Sequence, residues 1–93
     1  MTIEDLTLKQ TCECCPEQYD VMFENKRIGY IRYRGGRLTC QPVFDNEIQY
    51  FFTIWREDDM QLNEMPSHRR EQWLHECKQS LIDFYKMLKE VSL

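Results

Sequence analysis

Gly29-Tyr-Ile-Arg-Tyr-Arg-Gly-Gly-Arg-Leu-Thr-Cys40 is the stretch on which the fold turns. Up to Arg34, apolar and polar residues alternate with a period of two, the mark of a strand with one buried face. Gly35-Gly36 favours a two-residue hairpin, because the primed turn that suits twisted strands needs positive φ at both central positions. A second strand, Arg37 to about Phe44, therefore returns antiparallel. This turn sets Arg34 opposite Arg37, Tyr33 opposite Leu38 and Ile31 opposite Cys40, so Ile31, Tyr33, Leu38 and Cys40 share one face. Arg32, Arg34, Arg37, Thr39 and Gln41 share the other.

On the N-terminal side, Tyr19-Asp-Val-Met-Phe-Glu24 alternates in the same way. A two-residue Asn25-Lys26 loop would carry Tyr19, Val21 and Phe23 to the arginine face, whereas a three-residue loop, Asn25 to Arg27, carries them to the face of Ile31 and Tyr33. The second register is expected, with Asp20 opposite Arg32 and Met22 opposite Tyr30. Its outer face holds Tyr30, Arg32, Arg34, Arg37, Thr39 and Gln41, with Asp20 and Glu24 toward one edge. On the C-terminal side, Asp45-Asn46 is a turn pair, and Ile48-Gln-Tyr-Phe-Phe-Thr-Ile-Trp55 is a fourth strand rich in aromatic and β-branched residues.

The pattern changes to helix at Pro66. Ser67 is the expected N-cap, and no Gly or Pro interrupts the chain from there to its end. Leu74, Cys77, Leu81, Phe84, Leu88 and Val91 form an apolar stripe, widened by Trp73, Ile82 and Tyr85. The expected fold is α+β: one domain over 1–93, with an irregular segment at 1–17, a four-stranded antiparallel meander at 18–56 and a helix at 66–92 packed on one sheet face (ββββα). A helix this long extends past a small sheet, and its end either overhangs or pairs with another subunit. The fourth strand is apolar on both sides and one helix covers one face. Tyr50, Phe52 and Ile54 are accordingly candidates for a patch that meets a protein partner or a second copy in a homodimer.

Composition excludes several classes. Ninety-three residues leave no room for a barrel or a doubly wound sheet, which need roughly 150 to 250. With 13% aromatics, three Gly and three Pro, the chain is not of a disordered type. No apolar run of about eighteen residues is present, and the start Met-Thr-Ile-Glu-Asp-Leu is acidic, so no membrane span and no secretory signal are expected. A cytoplasmic protein follows. Five cysteines, an odd number in such a chain, point to free thiols.

Charge is distributed in blocks. Residues 1–24 carry −5, residues 25–41 carry +5, residues 42–66 carry −5 and residues 67–93 carry +1, which gives the net −4. The basic block is Lys26, Arg27, Arg32, Arg34 and Arg37. It either complements acidic neighbours across the sheet or presents an anion-binding surface, and the candidate site residues on that surface are Tyr30, Arg32, Arg34 and Arg37. Guanidiniums there can fork onto phosphate or carboxylate, and tyrosine rings can stack on bases. The acidic remainder opposes duplex nucleic acid as a general partner.

Catalytic and metal signatures are missing. Cys12-Glu-Cys-Cys15 is too tight for a zinc pair and no second pair follows; Cys40 and the His75/Cys77 pair could add ligands only through tertiary proximity. Cys40 lies on the core face and Cys77 on the helix stripe, where ordinary buried thiols sit. His68 and His75 have no oxyanion feature near them to make a Cys/His nucleophile. Glu57-Asp58-Asp59 lacks the calcium-loop pattern. The expectation is a non-enzyme without metal or cofactor.

Cys15-Pro-Glu-Gln-Tyr-Asp-Val21, followed by Arg27-Ile-Gly-Tyr-Ile-Arg-Tyr-Arg34, resembles the opening of small uncharacterised proteins encoded by bacteriophages and prophages. The resemblance covers the first half of the chain and carries no catalytic residues. It implies a phage protein at work in the host bacterial cytoplasm, of the kind that inhibits bacterial defence systems, CRISPR effectors included. Such anti-CRISPR-like inhibitors dock on a protein and block its nucleic-acid site, or they sequester a signalling nucleotide. The cationic patch beside Gly35-Gly36 is a departure from what a pure nucleic-acid mimic needs.

Overall fold

A computed structural model describes residues 1–12, 17–44, 47–48 and 64–91. A short 3-10 turn, Ile3–Asp5, leads into strands β1 (Thr7–Cys12), β2 (Glu17–Phe23), β3 (Lys26–Arg34), β4 (Arg37–Phe44) and β5 (Glu47–Ile48), and helix α1 (Ser67–Val91) follows. The strands lie in the order β1-β2-β3-β4-β5, every neighbouring pair antiparallel. The fold is therefore α+β, an antiparallel meander followed by one C-terminal helix.

The β3–β4 hairpin matches the expected register. Arg34 pairs with Arg37, Tyr33 with Leu38, Arg32 with Thr39 and Ile31 with Cys40. Gly35 and Gly36 have φ of 57° and 77°, the left-handed region that a side chain disfavours.

The β2–β3 hairpin does not match. Its turn is Glu24-Asn25, with φ of 50° and 65°, in place of the expected loop at Asn25 to Arg27. Met22 pairs with Arg27 and Val21 with Gly29, so Ile28 is the extra residue of a bulge. Asp20 consequently faces Tyr30 instead of Arg32, and Gln18 takes the place opposite Arg32. The face assignment survives. A two-residue turn alone would invert β2, and the single extra residue at Ile28 restores its parity, so Tyr19 and Val21 stay on the face of Ile31.

Segment 1–17 is not irregular throughout, because Thr7–Cys12 pairs with β2 as an edge strand. Its core-side positions alternate Leu8 with Gln10, which oppose Val21 and Tyr19. One apolar residue makes no detectable period, and the strand is held by the ladder. Ahead of it, the Thr2 N–H and hydroxyl donate to Asp5 Oδ2 at 2.8 and 3.1 Å, folding the start of the chain so that Leu6 enters the core. The Thr2 hydrogen bonds hold the Asp5 carboxyl below its ordinary value.

Helix α1 lies within the expected 66–92, but Ser67 is not its N-cap. Pro66 supplies the capping carbonyl, accepting from the Arg69 and Arg70 N–H groups at 2.9 and 3.0 Å, and Ser67 is the first helical residue. The buried stripe follows the sequence reading: Trp73, Cys77, Leu81, Ile82 and Phe84 are buried, while Leu74 is half-buried against the core. Trp73, Cys77 and Leu81 stand four residues apart. These three, with Ile82, meet Val21, Ile31, Tyr33, Leu38 and Cys40 of the sheet. Tyr33 and Trp73 stack obliquely, ring centroids 5.9 Å apart.

The Tyr85 hydroxyl lies 2.6 Å from the Ile28 carbonyl and 3.1 Å from that of Val43, tying α1 to the bulge and to β4. Burial pushes its phenol above the ordinary value, so it remains a donor at neutral pH. Tyr85→Phe is expected to cost about 1 to 2 kcal/mol in urea unfolding, because a carbonyl at the bulge loses its donor.

Of the expected fourth strand, Ile48 to Trp55, only Ile48 falls in β5; the rest, including Tyr50, Phe52 and Ile54, lies outside the described residues, as does the Asp45-Asn46 turn. Among the described residues no helix is long and apolar enough to cross a membrane.

Candidate partner-binding face

Strand parity decides which side chains meet on the side of β2, β3 and β4 that faces away from α1. Core-face positions of β3 are Gly29, Ile31 and Tyr33; the alternate positions, Tyr30, Arg32 and Arg34, point the other way. Their partners across β4 are Gln41, Thr39 and Arg37, and across β2 Asp20 and Gln18 oppose Tyr30 and Arg32. The four candidate residues Tyr30, Arg32, Arg34 and Arg37 are thus brought onto one face by the register. Arg34 and Arg37 are exposed at the hairpin end, while Tyr30 and Arg32 are half-buried.

The face is graded in charge from one end to the other. Toward the Glu24-Asn25 turn, Asp20 Oδ1 lies 3.4 Å from Arg27 Nη1, a half-buried pair worth about 1 kcal/mol or less. Toward Gly35-Gly36 the face carries Arg32, Arg34 and Arg37, and residues 25–41 contain no acid. Like charges directly opposite one another, as Arg34 and Arg37 are, destabilise a sheet by a few tenths of a kcal/mol to about 1 kcal/mol. Arg32 Nε is shut off from solvent with no hydrogen-bond partner among the described residues. Thr39, opposite, donates its hydroxyl to the Arg32 carbonyl at 3.3 Å.

Tyr30 is placed differently from a stacking platform. Its hydroxyl donates to Gln18 Oε1 at 2.5 Å, one rung along β2, so the ring is laid along the sheet.

Sequence reasoning missed a second constellation. Glu17 lies on the core face of β2, only 3% exposed, and four donors converge on its carboxylate. The Met65 N–H reaches Oε1 at 2.8 Å, Arg70 Nε reaches Oε2 at 2.9 Å, Arg70 Nη2 reaches Oε1 at 3.3 Å, and the Tyr19 hydroxyl donates to Oε2. Arg70 Nη2 also donates to the Met65 carbonyl at 3.0 Å. Burial pushes the Glu17 carboxyl up, but the hydrogen bonds from Arg70, Tyr19 and Met65, with the Arg70 charge, outweigh it and hold the group below its ordinary range. Burial and the bond to Glu17 push Tyr19 up to about 12. Every carboxylate lone-pair position is occupied, so the cluster fastens the start of α1 to β2 and has no capacity left for a substrate. The available signal was an acid at a core-parity position of a strand.

Cys40 and Cys77 are fully buried, in the expected places. His68 and His75 are exposed on α1. Among the described residues no three His, Cys, Asp or Glu side chains are grouped for a metal ion. The side chains of Cys12, Cys14 and Cys15, and all of Glu57-Asp58-Asp59, lie outside the described residues. No family model, no curated protein and no solved structure matches this chain.

Proposed function

We propose that this chain is a non-enzymatic binding protein that docks on a protein partner through the Tyr30, Arg32, Arg34 and Arg37 face. The observation that carries the reading is the gathering of Arg32, Arg34 and Arg37 at one end of a sheet face, on a stretch of sequence, residues 25–41, that contains no acid. Arginine and tyrosine dominate interface hot spots, and the tied-down Tyr30 lowers the entropy of docking. In keeping with the phage resemblance, the partner is a component of a bacterial defence system, and the chain acts as an anti-CRISPR-like inhibitor in the host cytoplasm.

Capture from host lysate, with and without nuclease, is the test. The expected partner is retained after nuclease and lost with Arg32→Glu/Arg34→Glu, with an affinity drop of about a hundredfold or more. Equal capture by the variant, with its fold intact by circular dichroism, would move the site off this face.

A second reading, a nucleotide or nucleic acid held by the same face, is favoured by Arg34 and Arg37 standing opposite one another beside Arg32, since guanidinium forks suit phosphate. It makes a separate prediction: binding that is lost on nuclease treatment and weakens steeply with salt. Each arginine removed then lowers the salt slope by about one.

A further inference from the structure

The core contains a feature that partner binding does not use. Cys40 of β4 and Cys77 of α1 are both 0% exposed, and the Cys40 thiol points at the Cys77 carbonyl oxygen from 3.6 Å. Ile31, directly across the ladder from Cys40, and Leu81, one turn beyond Cys77, make the surroundings apolar. The Cys77 thiol beside it, and then burial, push the Cys40 thiol well above its ordinary value. In the closed fold both thiols are shut off from solvent, so the pair is inert toward oxidants.

We propose that Cys40 and Cys77 are a latent disulfide site that closes when α1 lifts from the sheet in the presence of a low-molecular-weight disulfide, covalently locking the helix to β4. Once opened, one cysteine thiolate attacks the small disulfide, forming a mixed disulfide and releasing one small thiol. The second cysteine, as thiolate, then attacks the protein-bound sulfur and expels the other small thiol. The protein loses two hydrogens and is oxidised by two electrons, and the small disulfide is reduced to two thiols. In a glutathione-reduced compartment the pair remains as thiols. The bond spans 37 residues of chain, so it removes much of the freedom of the unfolded state.

The test uses the full chain with Cys12, Cys14 and Cys15 changed to Ser, and glutathione disulfide as oxidant. Mild urea is expected to speed closure at least tenfold over native buffer, because opening exposes the thiols. The product is expected to show a mass lower by two hydrogens, no alkylation by iodoacetamide, and a melting temperature higher by roughly 10 °C that dithiothreitol reverses. Cys40→Ser and Cys77→Ser should each abolish closure and stop at the glutathione adduct. Stable glutathione adducts on the parent, or a closed bond that lowers the melting temperature, would overturn the proposal. So would closure as fast in native buffer as in urea. If the triple serine background does not fold, peptide mapping of the oxidised native sequence replaces it. A Cys40–Cys77 cross-linked peptide supports the proposal, and cross-links confined to Cys12, Cys14 or Cys15 refute it.

Discussion

Arg70→Ala is expected to destabilise the protein by about 3 kcal/mol and to lower its melting temperature by roughly 15 °C. The reason is the asymmetry between the two partners: the Glu17 side chain is 4% exposed and that of Arg70 is 36% exposed. Removing the arginine leaves a carboxylate buried with no countercharge, whereas removing the glutamate leaves a guanidinium that water can reach. Glu17→Ala should therefore cost less, about 2 kcal/mol, most of it from the unsatisfied Met65 N–H. Equal losses in urea unfolding would argue that the pair acts by simple attraction and not by relieving burial.

The same pair fixes the acid limb of stability. Glu17 has a lower pKa folded than its ordinary 4.5, so the folded state favours the charged form. The stability it contributes is fully present above the unfolded value and is lost as pH falls through the folded one. Denaturant midpoints measured on either side of pH 4.5 should fall more steeply for the native sequence than for Glu17→Gln, which has no proton to take up at this position.

Gly29→Ala is the second large effect. A Cβ at this position would stand 2.5 Å from Leu81 Cδ1 and 3.1 Å from Cδ2, and Leu81 is fully buried against the sheet. The leucine must leave its rotamer or α1 must move out, at a cost of about 2 to 3 kcal/mol. Leu81→Ala alone opens a cavity and costs about 3 kcal/mol. Combined, the two changes interact: the new methyl occupies part of the space that the leucine vacates. The double variant is expected to be at least 1 kcal/mol more stable than the sum of the single losses implies. Strict additivity in a double-mutant cycle would show that α1 does not rest on Gly29 through Leu81.

How far these features can be read from the chain differs with their range. The Gly35-Gly36 hairpin was legible because a two-residue turn acts through local φ alone and carries the pairing of Arg34 with Arg37 along with it. The side-chain faces of β2 were legible too, because apolar parity is a strong constraint. The way that parity is met was not legible. A three-residue loop and a Glu24-Asn25 turn with an Ile28 bulge put Tyr19 and Val21 on the same face, and the choice between them rests on backbone pairing. For the same reason Thr7–Cys12 was hidden, since an edge strand held by its ladder needs no hydrophobic period. The Glu17 and Arg70 cluster joins residues 53 apart, and no local pattern connects them.

By itself, then, the sequence determined the class of the fold, the β3–β4 hairpin, the extent of the helix within a residue or so, and the face shared by Tyr30, Arg32, Arg34 and Arg37. All of these follow from periods and turns that act over a few residues. Tertiary structure alone decided the β2–β3 register, the edge strand, the Glu17 anchor and the meeting of Cys40 with Cys77. Each of these depends on which surfaces remain to be buried once distant elements have packed, a quantity no single segment of the chain contains.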